Sequence, residues 1–82
     1  MINYGKQSRL SVTKILDRAA RFFGADGMGL SVTTQNEDTI KLEGGGGFVY
    51  LTATRAAKAR KTSVDLISRE WEEPAKQFLI GI

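Results

Sequence analysis

Apolar residues recur along this chain of 82 residues at two periods, one typical of a helix and the other typical of strands. The helical period follows Ser11, where apolar side chains return every third or fourth position and would share one helix face. The stripe consists of Val12, Ile15, Leu16, Ala19, Phe22 and Phe23. Ser11 is a suitable N-cap and Gly24 is a suitable residue to end a helix, so the pattern predicts a helix between them.

Strict alternation of apolar and polar residues predicts strands in the first half and the middle of the chain. It occurs in residues 28–33, 40–43 and 48–53, which short turns separate. Three strands joined in this way favour an antiparallel meander. Residues 1–9 begin with a shorter alternation and predict a short edge strand.

Four consecutive glycines, residues 44–47, join the two strands at the middle of the chain. Successive glycines could hold a phosphate, but a phosphate loop normally leads into a helix, and these glycines lead into a strand. We therefore interpret them as a structural turn or bulge. Alternation after the turn directs Val49 and Leu51 into the core and directs Phe48 and Tyr50 outward.

The last third of the chain can be interpreted in two ways. Residues 62–69 alternate and are rich in β-branched side chains, which favours a strand. One long helix over residues 63–80 is the alternative, but Pro74 would then lie in its interior at a cost of about 3 kcal/mol. A helix that begins near Glu70 keeps Pro74 in its first turn. We therefore predict a fifth strand followed by a short helix.

The predicted order is β-α-β-β-β-β-α, within a single α+β domain over residues 1–82. A five-stranded antiparallel sheet with two helices on one face is a simple way to bury the apolar faces of elements in this order. The predicted core consists of Met28, Leu30, Val32, Ile40, Leu42, Val49, Leu51, Ala53, Val64 and Leu66, under Ile15, Leu16, Ala19, Phe23, Trp71, Phe78 and Leu79.

The other face of the sheet is expected to carry a mixed set of side chains. It consists of Ser31, Thr33, Lys41, Phe48, Tyr50, Thr52, Ile67 and Arg69. Exposed apolar surface of this kind often marks an interface, although a few scattered apolar residues on a solvated sheet are also normal. Phe48, Tyr50, Ile67, Arg69 and Trp71 are the candidate ligand or partner residues. Trp71 is also interpreted as a core anchor whose indole N–H finds a backbone partner.

The amino-acid composition excludes most familiar catalytic sites. The chain has no cysteine, which excludes thiolate metal ligands and cysteine nucleophiles. It also has no histidine, the commonest general base. Glu72 and Glu73 are consecutive and point apart on a helix, and nothing in the sequence brings Glu43 near them. We therefore expect no enzymatic activity, no metal site and no cofactor.

The net charge of +3 is typical of a soluble protein, and it also permits weak attraction to nucleic acid. Arg55, Lys58, Arg60 and Lys61 form a basic cluster in a predicted connection, residues 55–61. Such a cluster can contact phosphates, but it carries no specific motif, and we therefore interpret it as a solvated loop, with phosphate binding as the alternative. No apolar run reaches the ~20 residues of a membrane span and no signal peptide is evident, which predicts a cytoplasmic protein.

Two segments carry a resemblance to known proteins. They are LEGGGGFVYLTA, residues 42–53, and TSVDLISREW, residues 62–71, which resemble a group of short uncharacterised bacterial proteins. The order of elements also resembles the TATA-binding-protein-like fold and the START and polyketide-cyclase-like, or helix-grip, fold. The resemblance to the TATA-binding-protein-like fold implies weak nucleic-acid binding through the outer sheet face and the loop of residues 55–61. The resemblance to the helix-grip fold implies a small hydrophobic ligand between sheet and helices, near Phe23, Tyr50 and Trp71.

Three functions therefore remain open from the sequence. The first is a non-catalytic binding or assembly domain that forms a homodimer through the outer face around Phe48, Tyr50 and Ile67. The second is the small-ligand module, and the third is the nucleic-acid module.

Overall fold

The computed structural model describes residues 2–56 and 61–82 of the chain. Its elements are β1 (Ile2–Ser8), α1 (Val12–Phe23), β2 (Ser31–Gln35), β3 (Thr39–Gly44), β4 (Gly47–Ala56), β5 (Lys61–Arg69) and α2 (Glu72–Ile80). The predicted order and the α+β class are confirmed, and so is the strand over residues 62–69. Arg55 and Lys61, predicted to lie in a connection over residues 55–61, instead belong to β4 and β5.

The five strands form one antiparallel sheet in the order β1-β5-β4-β3-β2. Helix α1 carries the chain from β1 at one edge to β2 at the other, and the chain then returns strand by strand until β5 pairs with β1. Strand β1 is therefore an edge strand, as the sequence predicts. Helix α1 packs mainly on β3 and β4, and α2 packs on β5 and β1, so both helices cover the same face.

Helix α1 begins and ends at the predicted residues. The Ser11 hydroxyl accepts a hydrogen bond from the backbone N–H of Lys14 at 3.2 Å, which satisfies one free donor of the first turn. Its buried residues are Ile15, Leu16, Ala19 and Phe23. Gly24 is extended (φ −77°, ψ −161°), so a left-handed conformation is not what selects it. A Cβ there would lie 2.1 Å from the carbonyl oxygen of Ala20, so the close backbone approach requires glycine.

Two residues predicted to be in the core are exposed. Met28 lies in the turn before β2 and is 43% exposed, because the strand begins only at Ser31. Val32 pairs with Leu42 and so shares the helix-covered side of the sheet, yet it is 45% exposed. The helices pack mainly on the other four strands, so the side chains of β2 receive little cover.

Helix α2 begins two residues later than predicted. It starts at Glu72 and keeps Pro74 in its first turn, where the missing N–H of proline costs no helical hydrogen bond. Glu70 precedes it with a φ of +69°, a left-handed conformation that is uncommon for a residue with a side chain. This residue turns the chain sharply from β5 into α2, over the covered face of the sheet.

The carboxyl end of α2 is held by side chains of β1. The Lys6 ammonium donates a hydrogen bond to the carbonyl oxygen of Leu79, and the Ser8 hydroxyl donates to that of Ile82 at 2.8 Å. The last carbonyls of a helix lack partners within it, and a cation there is favoured by the helix dipole. The first strand and the last helix thus stabilise each other.

The glycine stretch forms a two-residue hairpin turn, as predicted. Gly44 pairs with Gly47, and the two residues between them have φ values of +60° (Gly45) and +82° (Gly46). Positive φ at both central positions is the type I′ geometry, whose twist matches that of the flanking strands. A Cβ on Gly47 would lie 2.1 Å from the carbonyl oxygen of Arg69, so this glycine is required by a neighbouring backbone.

Substitutions in this turn should distinguish the positive φ that Gly46 requires from the close backbone approach that Gly47 requires. Gly46→Ala should lower the free energy of unfolding by about 1–2 kcal/mol, because its Cβ meets no atom but the residue must stay left-handed. Gly46→Asn should cost less, since asparagine tolerates that conformation. Gly47→Ala should cost more than either, because the clash is with backbone. Urea denaturation measures the free energy of unfolding of the three variants. Equal losses of stability in Gly46→Ala and Gly47→Ala would contradict the different roles given to the two glycines.

Candidate functional site

The outer face of the sheet brings together four of the five candidate binding residues. In one row across the strands, Ile67 of β5 pairs with Tyr50 of β4, and Tyr50 pairs with Lys41 of β3. In the next row, Arg69 pairs with Phe48, which pairs with Glu43. Side chains directly opposite one another on antiparallel strands are close neighbours. Phe48, Tyr50, Ile67 and Arg69 therefore form one continuous patch, named here the outer patch.

The outer patch has an apolar centre and a charged margin. Tyr50 is 37% exposed, while Phe48 and Ile67 are half-buried. The Lys41 ammonium lies 5.3 Å from the centroid of the Phe48 ring, within the range of a cation–π contact. Its alkyl chain can cover part of the ring while the charge stays in water. The two helices pack on the opposite face, so the patch faces solvent.

Trp71 does not belong to the outer patch. Its indole N–H donates a hydrogen bond of 2.8 Å to the carbonyl oxygen of Gly44, at the end of the β3–β4 hairpin. A Cβ on Gly45 would lie 2.9 Å from the indole ring, so the ring packs directly on the turn. The half-buried side chain also contacts the core. The interpretation of Trp71 as an anchor with a backbone partner is confirmed.

The two described residues of the basic cluster, Arg55 and Lys61, lie near the end of β4 and at the start of β5. Arg55 pairs with Thr62, whose side chain is buried on the covered face, and Lys61 pairs with Ala56 one position further on. Because side chains alternate along a strand, Arg55 and Lys61 point to opposite sides of the sheet. Lys58 and Arg60 lie outside the described residues. The two described cations therefore do not form a common surface with each other.

The ligand pocket expected near Phe23, Tyr50 and Trp71 is not formed. Phe23, the last residue of α1, is completely buried in the core on the covered face of the sheet. Tyr50 lies on the outer face, on the other side of the sheet. One pocket cannot be lined by side chains that a sheet separates, so that part of the prediction is wrong.

The side chains of the outer patch suit non-covalent contacts. Within residues 2–56 and 61–82, no three acidic side chains cluster in a way that could hold a metal ion. The patch offers aromatic rings, a phenol and a guanidinium, and the neighbouring Lys41 adds an ammonium. These groups suit apolar, cation–π and ion-pair contacts. No helix among the described residues is long and apolar enough to cross a membrane.

The class that this geometry defines is a small α+β domain with an antiparallel sheet covered by helices on one face and open on the other. Comparison of the sequence with protein-family models and with curated proteins finds no match. Any function must therefore be argued from the exposed residues themselves.

Trp71→Phe should show that Trp71 stabilises the fold. Phenylalanine keeps an aromatic ring but removes the indole donor to the Gly44 carbonyl, and we expect the free energy of unfolding to fall by about 1–2 kcal/mol. Tyr50→Phe is the matched control, because it removes a polar atom from an exposed ring and should change stability by less than about 0.5 kcal/mol. Thermal or urea unfolding compares the two variants. Similar losses for both would argue against the anchoring role of Trp71.

Proposed function

We propose that this protein is a non-catalytic binding and assembly domain that associates with a second copy of itself through the outer patch. The observation that carries the proposal is the row of Ile67, Tyr50 and Lys41 with Phe48 beside it, on the face that neither helix covers. Aromatic residues are enriched at protein interfaces because they bury a large area at a small entropic cost.

The size of the patch determines how strong such a dimer can be. A standard interface buries about 800 Å² on each partner, far more than three partly exposed side chains provide. The polar residues around Phe48, Tyr50 and Ile67 must therefore be buried as well. We expect a weak, reversible dimer whose affinity depends on how well those polar residues are paired.

The charges around the patch support self-association. Lys41 and Arg69 are positive, while Glu43 and Asp65 are negative, and all four lie on the same face of the sheet. In a two-fold dimer the same surface meets itself, so a patch with both signs can pair its own charges. A face with one sign only would repel its copy.

The topology also supports the resemblance to the TATA-binding-protein-like and helix-grip folds, since the order of elements is the one that suggested it. We place this chain in that general architecture as part of the proposal. The self-association does not rest on the resemblance, because a shared fold does not determine function.

Tyr50→Glu tests the proposal. A carboxylate at the centre of the patch would have to be buried without a partner, so dimerisation should weaken about tenfold or more. Sedimentation equilibrium or multi-angle light scattering over a concentration series up to high micromolar measures the dissociation constant. Tyr50 is 37% exposed in the monomer, so the variant should fold, and circular dichroism checks this.

Ile80→Glu is the matched control. Ile80 is an apolar residue that is 66% exposed, and it lies on α2, away from the outer face. Its replacement adds the same charge to the protein and should leave dimerisation unchanged. A wild-type protein that stays monomeric throughout the series, or an equal effect of both substitutions, would overturn the proposal.

A further inference from the structure

A groove lies between the two helices, on the side of the molecule opposite the outer patch. Its volume is about 340 Å³, and it is open to solvent. It is lined by Arg18, Arg21, Phe22, Gln77, Phe78, Gly81 and Ile82. Small-molecule sites span roughly 300–1,000 Å³, so this groove can hold a compact ligand.

The floor of the groove is aromatic and held firmly in place. The Phe22 ring centroid lies 5.5 Å from that of Phe78 and 4.9 Å from that of Phe23, with the last pair edge to face. Phe23 and Phe78 are buried in the core, whereas Phe22 is only half-buried although it belongs to the apolar stripe of α1. A ligand would thus meet an apolar surface that is already in position, which reduces the entropic cost of binding.

Two cationic side chains lie on the rim of the groove. Arg18 and Arg21 come from α1, and the side chains of the other lining residues are uncharged. Arg18 donates one long hydrogen bond, 3.5 Å, to the carbonyl oxygen of Gly81, and Arg21 pairs with Asp17 at 3.3 Å on the exposed side of the helix. A guanidinium has five N–H donors, so each arginine retains donors for a ligand.

We propose that the groove binds a small apolar carboxylic acid. The carboxylate would accept hydrogen bonds from Arg18 and Arg21, whose planar fork matches its geometry. The apolar part would lie on Phe22, Phe78 and Ile82 and displace water from them. A free inorganic anion would not use the aromatic floor, and a neutral hydrocarbon would not use the arginines, so the combination selects an amphipathic acid.

Octanoate and octanol are the matched probes, because they share a chain and differ in the charged head. In two-dimensional amide NMR spectra, octanoate at millimolar concentration should shift the signals of residues 18–22 and 77–82. Octanol should shift the same signals more weakly. Shifts centred on residues 48–50 and 67 instead, an equal response to both probes, or no shift would overturn the proposal.

Variants of the rim identify the charged contact. Arg18→Gln and Arg21→Gln should each weaken octanoate binding about two- to fivefold, as expected for partly exposed ion pairs, and leave octanol binding unchanged. Lys14→Gln removes an exposed cation from the same helix outside the groove and should have no effect. An equal loss in Lys14→Gln would show that net charge alone attracts octanoate and would overturn the site. Tyr50→Glu should leave octanoate binding intact, which separates this site from dimerisation.

Discussion

The contact of Trp71 with the β3–β4 turn is the interaction on which the rest of the structure depends. The indole N–H binds the Gly44 carbonyl and the ring packs on Gly45, so the start of α2 is fixed against the tip of the central hairpin. The hairpin turn sets the register of β3 and β4. A slip of one residue would move Phe48 and Tyr50 into the core and expose Val49 and its neighbours. The division of the sheet into a covered and an open face is therefore decided at this turn.

A second constraint comes from the size of the chain. A domain of this length buries only about 60% of its unfolded surface, so every element must contribute to a single core. Helix α1 contributes to the core by crossing the sheet between its two edges. Helix α2 is held against the sheet by contacts at both of its ends. Trp71 holds its beginning, and Lys6 and Ser8 of the edge strand hold its end. Both helices lie on one face, and among residues 2–56 and 61–82 no element covers the other face.

Most of this architecture could be predicted from local patterns. The period of the apolar residues identified α1 and the central strands, and the position of Pro74 decided between a strand and a long helix in residues 62–69. The exposure of Val32 could not be predicted, since it depends on how far the helices extend over β2. Nor could the partner of Trp71, because the Gly44 carbonyl lies 27 residues away along the chain. Alternation assigns a residue to a face, but only the packed structure shows what covers that face.

The open sheet face and the groove between the helices both contain aromatic residues that are only partly buried. These are Phe48 and Tyr50 on the sheet face and Phe22 in the groove. They lie on opposite sides of the molecule, with the core between them. A dimer formed through the outer patch would therefore leave both grooves facing solvent, one on each outer side of the pair. Dimerisation and ligand binding would then be energetically independent unless α1 shifts relative to the sheet, because a ligand couples two sites only when it distinguishes between two states of the protein.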